Sequence, residues 1–393
     1  MRRSLQVLRT WALAATVLCA AGAVAASAKT FVYVSNAEDG NIDGYTLDRT
    51  SGALTPIGKA DAGKLVMPMA VSPDQKFLYA AVRSEPFTVV TYAIDPGTGA
   101  LTQKARAPLP DSMPYVSTDA TGRFLFTASY GGDKVAVSPI GDNGLVETGA
   151  IQVVPTGRNA HAILADRTNR FVYATNLGSN QILQFLFDAK AGKLTPNDPP
   201  AIKARPGHGP RHLAFSPDNK YLYVLNELSG HVVQFAIDQA SGTLTEVDSV
   251  GSVPPDAGLE PGIAQAPISP TATASPAVAT PKADEKPKIW AADIQITPDG
   301  RFLYATERTT SKIALLSVAP GTGRLTYVTN FATEKQPRGI RVDPSGSYLV
   351  ASGEKSDRLS VYRIDRTDGR LTEVSRAPVG KGANWIVIVE LAD

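Results

Sequence analysis

Residues 210–248 read PRHLAFSPDNKYLYVLNELSGHVVQFAIDQASGTLTEVD. Three apolar or alternating runs (HLAFS, YLYVLN, HVVQFAID) and a short threonine-bearing run (TLTEVD) are separated by turn residues, Pro217-Asp218-Asn219 and Ser241-Gly242. That spacing predicts four short strands joined by tight turns. Segments equivalent to YLYVLN start at Phe31, Phe77, Phe124, Phe171, Tyr221, Phe302 and Tyr348. The unit therefore occurs seven times, with starts 46, 47, 47, 50, 81 and 46 residues apart. A four-stranded unit of this length cannot bury both of its faces alone. Radial stacking of such units gives an all-β, seven-bladed β-propeller of antiparallel blades.

The two ends of the chain bear on whether the ring closes. The first repeat opens on its second strand, FVYVSN, and so lacks an innermost strand. Beyond the seventh repeat stands a spare run, Ala383-Asn384-Trp385-Ile386-Val387-Ile388-Val389, which matches the first strand of other copies. It is expected to pair beside residues 31–36 and complete the first blade, removing the exposed edges of an open ring. Residues 29–393 then form one domain.

Residues 1–28 carry Arg2, Arg3 and Arg9, an apolar stretch from Trp11 to Ala26, and the small-residue run Ala26-Ser27-Ala28. This is the pattern of an export signal cleaved before Lys29, and the apolar stretch is shorter than the ~20 residues of a membrane span. The Arg2-Arg3 pair is compatible with either a twin-arginine or an ordinary route. Cys19, the only cysteine, lies in the signal, so the mature chain has no disulfide or thiol chemistry. The formal charge of +2 falls to −1 without the three arginines. Such a balance points to neither nucleic acid nor an anionic membrane. A monomeric protein acting on a small molecule is expected.

The turns D-x-x-x-G-x-L-T at 95–102, 188–195 and 238–245 place an aspartate and a glycine where a hairpin needs them. They read as turn chemistry and not as calcium ligands. The 81-residue interval holds an insertion at 251–288, rich in Pro, Ala, Thr and Ser, that cannot build a core of its own. It is either a disordered surface loop or a cover over the channel mouth, since it emerges on the rim where first strands begin.

In a propeller blade the start of the first strand and the end of the second lie on one rim of the central channel. Ten residues before the opening aromatic stand His161, Arg211, Ala292 and Arg338. Six after it stand Ala37, Arg83, Tyr130, Leu177, Glu227, Arg308 and Glu354. These positions vary between copies and carry ionisable groups, as expected of a site grafted on a repeated frame. Taken singly, the arginines and glutamates also read as structural ion pairs, and His161 as a core histidine bonded to backbone. Their convergence on one rim points instead to a site.

The repeat pattern, with the pieces Ser129-Tyr130-Gly131-Gly132, Asn159-Ala160-His161-Ala162, Gly209-Pro210-Arg211-His212 and Asn226-Glu227, resembles the β-propeller lactonases. That family includes propeller-type 6-phosphogluconolactonases and, more distantly, carboxymuconate cyclases. The resemblance implies a catalytic group of His161, Arg211, Glu227 and Arg308. Around it, Arg83, Tyr130, Asp293, Arg338 and Glu354 are expected to meet the substrate. It departs from relatives at Ala292-Asp293-Ile294, where they often read Ala-Glu-Ile, and at Thr306-Glu307-Arg308, where they read Ser-Asn-Arg.

Lactone hydrolysis needs an activated water, a cationic or hydrogen-bonding group on the carbonyl oxygen, and a proton for the leaving alkoxide. Glu227 or His161 can be the base with the other as the acid, and Arg211 and Arg308 can face the oxyanion. No G-x-S-x-G elbow occurs, and the four histidines show no metal-ligand spacing, so neither a serine nucleophile, a metal nor another cofactor is expected. The reading is thus an exported lactonase for a sugar-type or acidic lactone. The alternatives are a non-catalytic propeller that binds a protein or cell-surface partner, and a cycloisomerase running the lactone-forming direction.

Overall fold

The structure, a computed structural model, describes residues 28–269, 271–274, 276 and 285–391. The segment read as an export signal lies, apart from Ala28, outside the described residues. Among the described residues, twenty-eight strands form seven four-stranded antiparallel sheets. Every expected second strand is present, from Lys29–Asn36 in blade one to Tyr348–Ser352 in blade seven. The first strands line the channel, and each packs against those of the two neighbouring blades.

Closure occurs at the expected place. Ala383–Leu391 pairs antiparallel with Lys29–Asn36, with Val389 opposite Phe31 and Ile386 opposite Val34. The alternation of a strand sends Val387 and Val389 into the core shared with blade two, and Ile386 and Ile388 into the core shared with blade seven. Burial of such side chains is worth about 1.5–3 kcal/mol each. Removing residues 383–393 is expected to open the ring and expose the edge of residues 29–36, giving oligomers or aggregates on size-exclusion chromatography. A truncated chain that stays monomeric with an unchanged melting temperature would show that this strand does not close the ring.

The repeat's tyrosines and glycines lock blade to blade. The Tyr173 hydroxyl donates to the Gly242 carbonyl in the hairpin of the next blade at 2.7 Å. Tyr33 bonds Gly99, Tyr223 bonds Gly323 and Tyr304 bonds Gly369 in the same way. Blade three has Phe126 at this position, and the bond is missing there. Gly242 has φ +74° and its missing Cβ would fall 2.2 Å from a Phe171 ring carbon, so the turn requires glycine twice over. In the same hairpin Asp238 Oδ1 accepts from the N–H groups of Ala240 and Ser241, which is the turn role expected of the repeated aspartates.

Candidate active site at one mouth of the channel

The first strands of several blades begin with a break in their ladder. The register shifts between Ala160 and Ala162, between Pro210 and His212, and between Ala291 and Ile294. The residues left out of pairing are His161, Arg211, and Ala292 with Asp293. A β-bulge of this kind re-aims the extra side chain. Here it turns His161 and Arg211 onto the channel mouth. The backbone groups freed by the bulge are satisfied by a threonine of the second strand: Ala162 N–H donates to Thr175 Oγ1, which donates to the Arg211 carbonyl. Thr306 accepts from the Asp293 N–H in the same manner.

Glu227 is the hub. Its Oε2 accepts from Arg211 Nε at 2.7 Å and from Arg308 Nη2 at 3.0 Å, and its Oε1 from Trp290 Nε1 at 3.1 Å. Both arginines are also held by carbonyls at the start of blade six: Arg211 by Ala292, and Arg308 by Trp290 and Ala291. The Arg308 guanidinium lies 3.7 Å from the centre of the Trp290 ring. Arg211, Arg308, Glu227 and His161 are all buried. Burial alone would raise the Glu227 carboxyl, but Arg308 and Arg211 hold it below its ordinary value, so it is a carboxylate. Burial lowers both guanidiniums, Arg308 to about 9, while Glu227 opposes the shift; both remain charged at neutral pH.

Burial, and then the positive charge of Arg211, push His161 well below its ordinary value, leaving a neutral imidazole. Its Nδ1 is buried and has no hydrogen-bond partner among the described residues. Of the two groups named as base or acid, His161 is therefore the one with a free lone pair, whereas Glu227 is spent on three donors.

The expected substrate-binding residues divide. Arg83, Tyr130 and Arg338 line the same cavity as the four catalytic candidates. Arg83 is buried and held by Ser112 Oγ at 3.1 Å, its guanidinium lowered to about 9 by burial and by Arg338. Glu354 sits behind the lining, 3.6 Å from Arg338 and 2.7 Å from the Gln336 amide. Asp293 is not at this mouth: the bulge turns it to bond His212 Nδ1 at 2.9 Å on a different cavity. Glu307 does not oppose Arg308. Its carboxylate accepts from the N–H groups of Trp290, Thr309 and Thr310 and fixes its own turn. Trp290, which ties the hub to the arginines, was not singled out as a functional residue in the sequence.

Described residues of the insertion, Gln265, Ala266, Ile268 and Pro276, line this mouth. The base of the insertion is tied down by Gly262 N–H to the Leu228 carbonyl and by a bridge between Glu260 and Lys288. The Tyr130 hydroxyl donates to the Gln265 carbonyl at 2.8 Å, and Gln336 Nε2 to the Pro276 carbonyl at 2.9 Å. Ile268 and Ala272 pack on Ala37, Leu65 and Met67. A Cβ on Gly131 would fall 3.0 Å from Pro267, a tight contact that the bare backbone avoids. Beneath it remains a cavity of about 50 Å³.

The fold and site define a seven-bladed β-propeller with a buried, arginine-rich mouth. The chain belongs to the lactonase, seven-bladed β-propeller family, whose model matches residues 31–388, and with the family comes the enzyme class, a hydrolase of cyclic esters. It is 39% identical over 363 residues to a 6-phosphogluconolactonase of Erwinia tasmaniensis, covering 92% of this chain and 99% of that one. A 6-phosphogluconolactonase of Serratia proteamaculans is 38% identical, with 92% and 99% covered. The periplasmic gluconolactonase of Pseudomonas aeruginosa has the same fold, with a TM-score of 0.77 at 23% identity, covering 92% of this chain and 99% of that one.

Proposed function

We propose that the chain is an exported lactonase that opens a sugar-type or acidic lactone at the mouth occupied by His161, Arg211, Glu227 and Arg308. The observation that carries this reading is the pairing of two buried arginines on one carboxylate beside a neutral histidine with a free nitrogen. Neutral His161 takes a proton from water as its oxygen attacks the carbonyl carbon. The carbonyl oxygen gathers negative charge toward Arg211 and Arg308, which are held in place by Glu227 and pay no reorganisation cost. The tetrahedral species collapses, the ring C–O bond breaks, and the imidazolium returns its proton to the leaving alkoxide. Water and lactone become one hydroxy acid.

Four arginines, Arg83, Arg211, Arg308 and Arg338, line the mouth with one carboxylate, Glu227, and Glu354 stands behind Arg338, so the site favours an anionic lactone. The relatives' names suit a phosphorylated sugar lactone. An export signal at residues 1–28 argues for a lactone met outside the cytoplasm, and among the described residues no helix is long and apolar enough to cross a membrane. The binding-platform alternative calls for exposed aromatics on a flat face. Among the described residues, the exposed large hydrophobic ones, Ile151, Val153, Leu186, Ile263 and Val328, include none. A panel of sugar and acidic lactones followed by pH-stat with the purified mature protein tests the reading. Release of acid from at least one anionic or sugar lactone is expected, and none from any member would overturn it.

The insertion acts as a gated cover in this account. Ligand sites are roughly 300–1,000 Å³, so the cavity of about 50 Å³ cannot admit a hexose lactone until the cover lifts. Closed over substrate, it excludes bulk water and supplies the wall of Gln265, Ala266 and Ile268. Replacing residues 251–288 with the short connection of another blade is expected to raise KM for a responsive lactone while the ring stays folded. Unchanged kinetics would reduce the segment to a tether.

A further inference from the structure

A second cavity, about ten times the volume of the charged mouth, lies apart from it. It has a volume of about 520 Å³ and shares no lining residue with the mouth. The turns that follow the first strands, at Ser72, Pro298 and Asp343, contribute to it, so it opens on the opposite face of the disc. Three aromatic rings, Tyr115, His212 and Trp385, stand mutually edge-on along its wall. Their centres are 5.3 Å apart for Tyr115 and His212, and 5.5 Å for each of the other two pairs. His161 packs edge-on to His212 at 5.3 Å and separates the cavity from the mouth.

The polar edges of these rings are unspent. Asp293 is fixed by the N–H groups of Ile340 and Ile294 and accepts from His212 Nδ1. Burial, and then Arg211, lower the imidazole to about 4, so it is neutral and its Nε2 is a hydrogen-bond acceptor. That Nε2 is buried with no partner among the described residues, which native interiors rarely tolerate without a function. Neither the Tyr115 hydroxyl nor the Trp385 indole N–H has a partner among the described residues. The exposed Arg341, one residue beyond Ile340, lines the same cavity and has no acid partner among the described residues. Asp343, at the lip, is committed to the N–H groups of its own turn.

We propose that this cup is a second binding site, for a small hydroxylated carboxylate. His212 Nε2 accepts from one hydroxyl, Tyr115 and Trp385 hydrogen-bond others, and Arg341 takes the carboxylate as a planar fork. The site stands whether or not the mouth hydrolyses a lactone. It recognises the kind of molecule that opening a sugar lactone releases, on the face away from the chemistry.

Trp290 reports the mouth and Trp385 the channel, so their indole ¹⁵N–¹H signals separate the two sites. D-gluconate is titrated into the full protein, with the Trp385 signal assigned by its loss in Trp385→Phe. The Trp385 signal is expected to shift saturably and to do so equally in Glu227→Gln. Tyr115→Phe and Arg341→Gln are each expected to weaken that saturation about tenfold, as for the loss of one directed contact. Movement of the Trp290 signal alone, a Trp385 shift that never saturates, or unchanged binding in both Tyr115→Phe and Arg341→Gln would overturn the proposal.

Discussion

In Glu227→Gln, kcat/KM on a responsive lactone is expected to fall by about 10²–10³-fold, the loss typical of disabling one preorganised oxyanion contact. The amide keeps the shape of the carboxylate but not its charge. Arg211 and Arg308, both buried, are then left without the anion that holds them. Removing one partner of a buried pair costs about 3–5 kcal/mol, so the midpoint of chemical denaturation should drop as well, although the twenty-eight-stranded ring survives. The burial of both arginines is what ties the loss of activity to a loss of stability. Steady-state kinetics and a urea titration check the two together. Full activity would remove the arginine pair from the mechanism.

His161→Ala is expected to lower kcat by about 10²–10⁴-fold, the range of a general base, with KM little changed. Because the buried imidazole is neutral, its removal strands no charge, and stability should fall less than in Glu227→Gln. The pH dependence separates a base from a packing residue. Burial and the neighbouring arginines depress the His161 pKa, so the active, unprotonated form persists through neutral pH. In the wild type kcat/KM should therefore be flat above the ordinary histidine value of about 6.5 and decline only as pH falls well below it. An acid limb centred at the ordinary value would show that the essential base is another, more exposed group.

The ring was legible because its cause is repeated seven times: the same alternation, the same turns, and a spare strand at one end matching a missing one at the other. Counting from the aromatic that opens each second strand also found Arg83, Tyr130, His161, Arg211, Glu227, Arg308 and Arg338, because equivalent positions in equivalent blades share a rim. Asp293 was named on the resemblance and not by that count, which gave Ala292, and the bulge sends it to the opposite cavity along with its partner His212. A bulge leaves no mark in composition. Trp290 was hidden for another reason, since it precedes the strand and has no counterpart in the other repeats. The course of the described residues of the insertion was beyond pattern reading altogether. A segment rich in Pro, Ala and Thr has no periodicity, and its placement is set by contacts such as Gln265 with Tyr130 and Pro276 with Gln336.

The claim that joins these parts is that a lactone is opened between His161 and the two arginines held by Glu227. Its most direct test is a crystal structure of Glu227→Gln soaked with a lactone that the wild type hydrolyses. The carbonyl oxygen is expected to face the Arg211 and Arg308 guanidiniums, with the carbonyl carbon turned toward His161 and the 251–288 segment closed over it. Lactone bound only in the wide channel beside His212 and Trp385, with the arginine mouth unoccupied, would contradict the account.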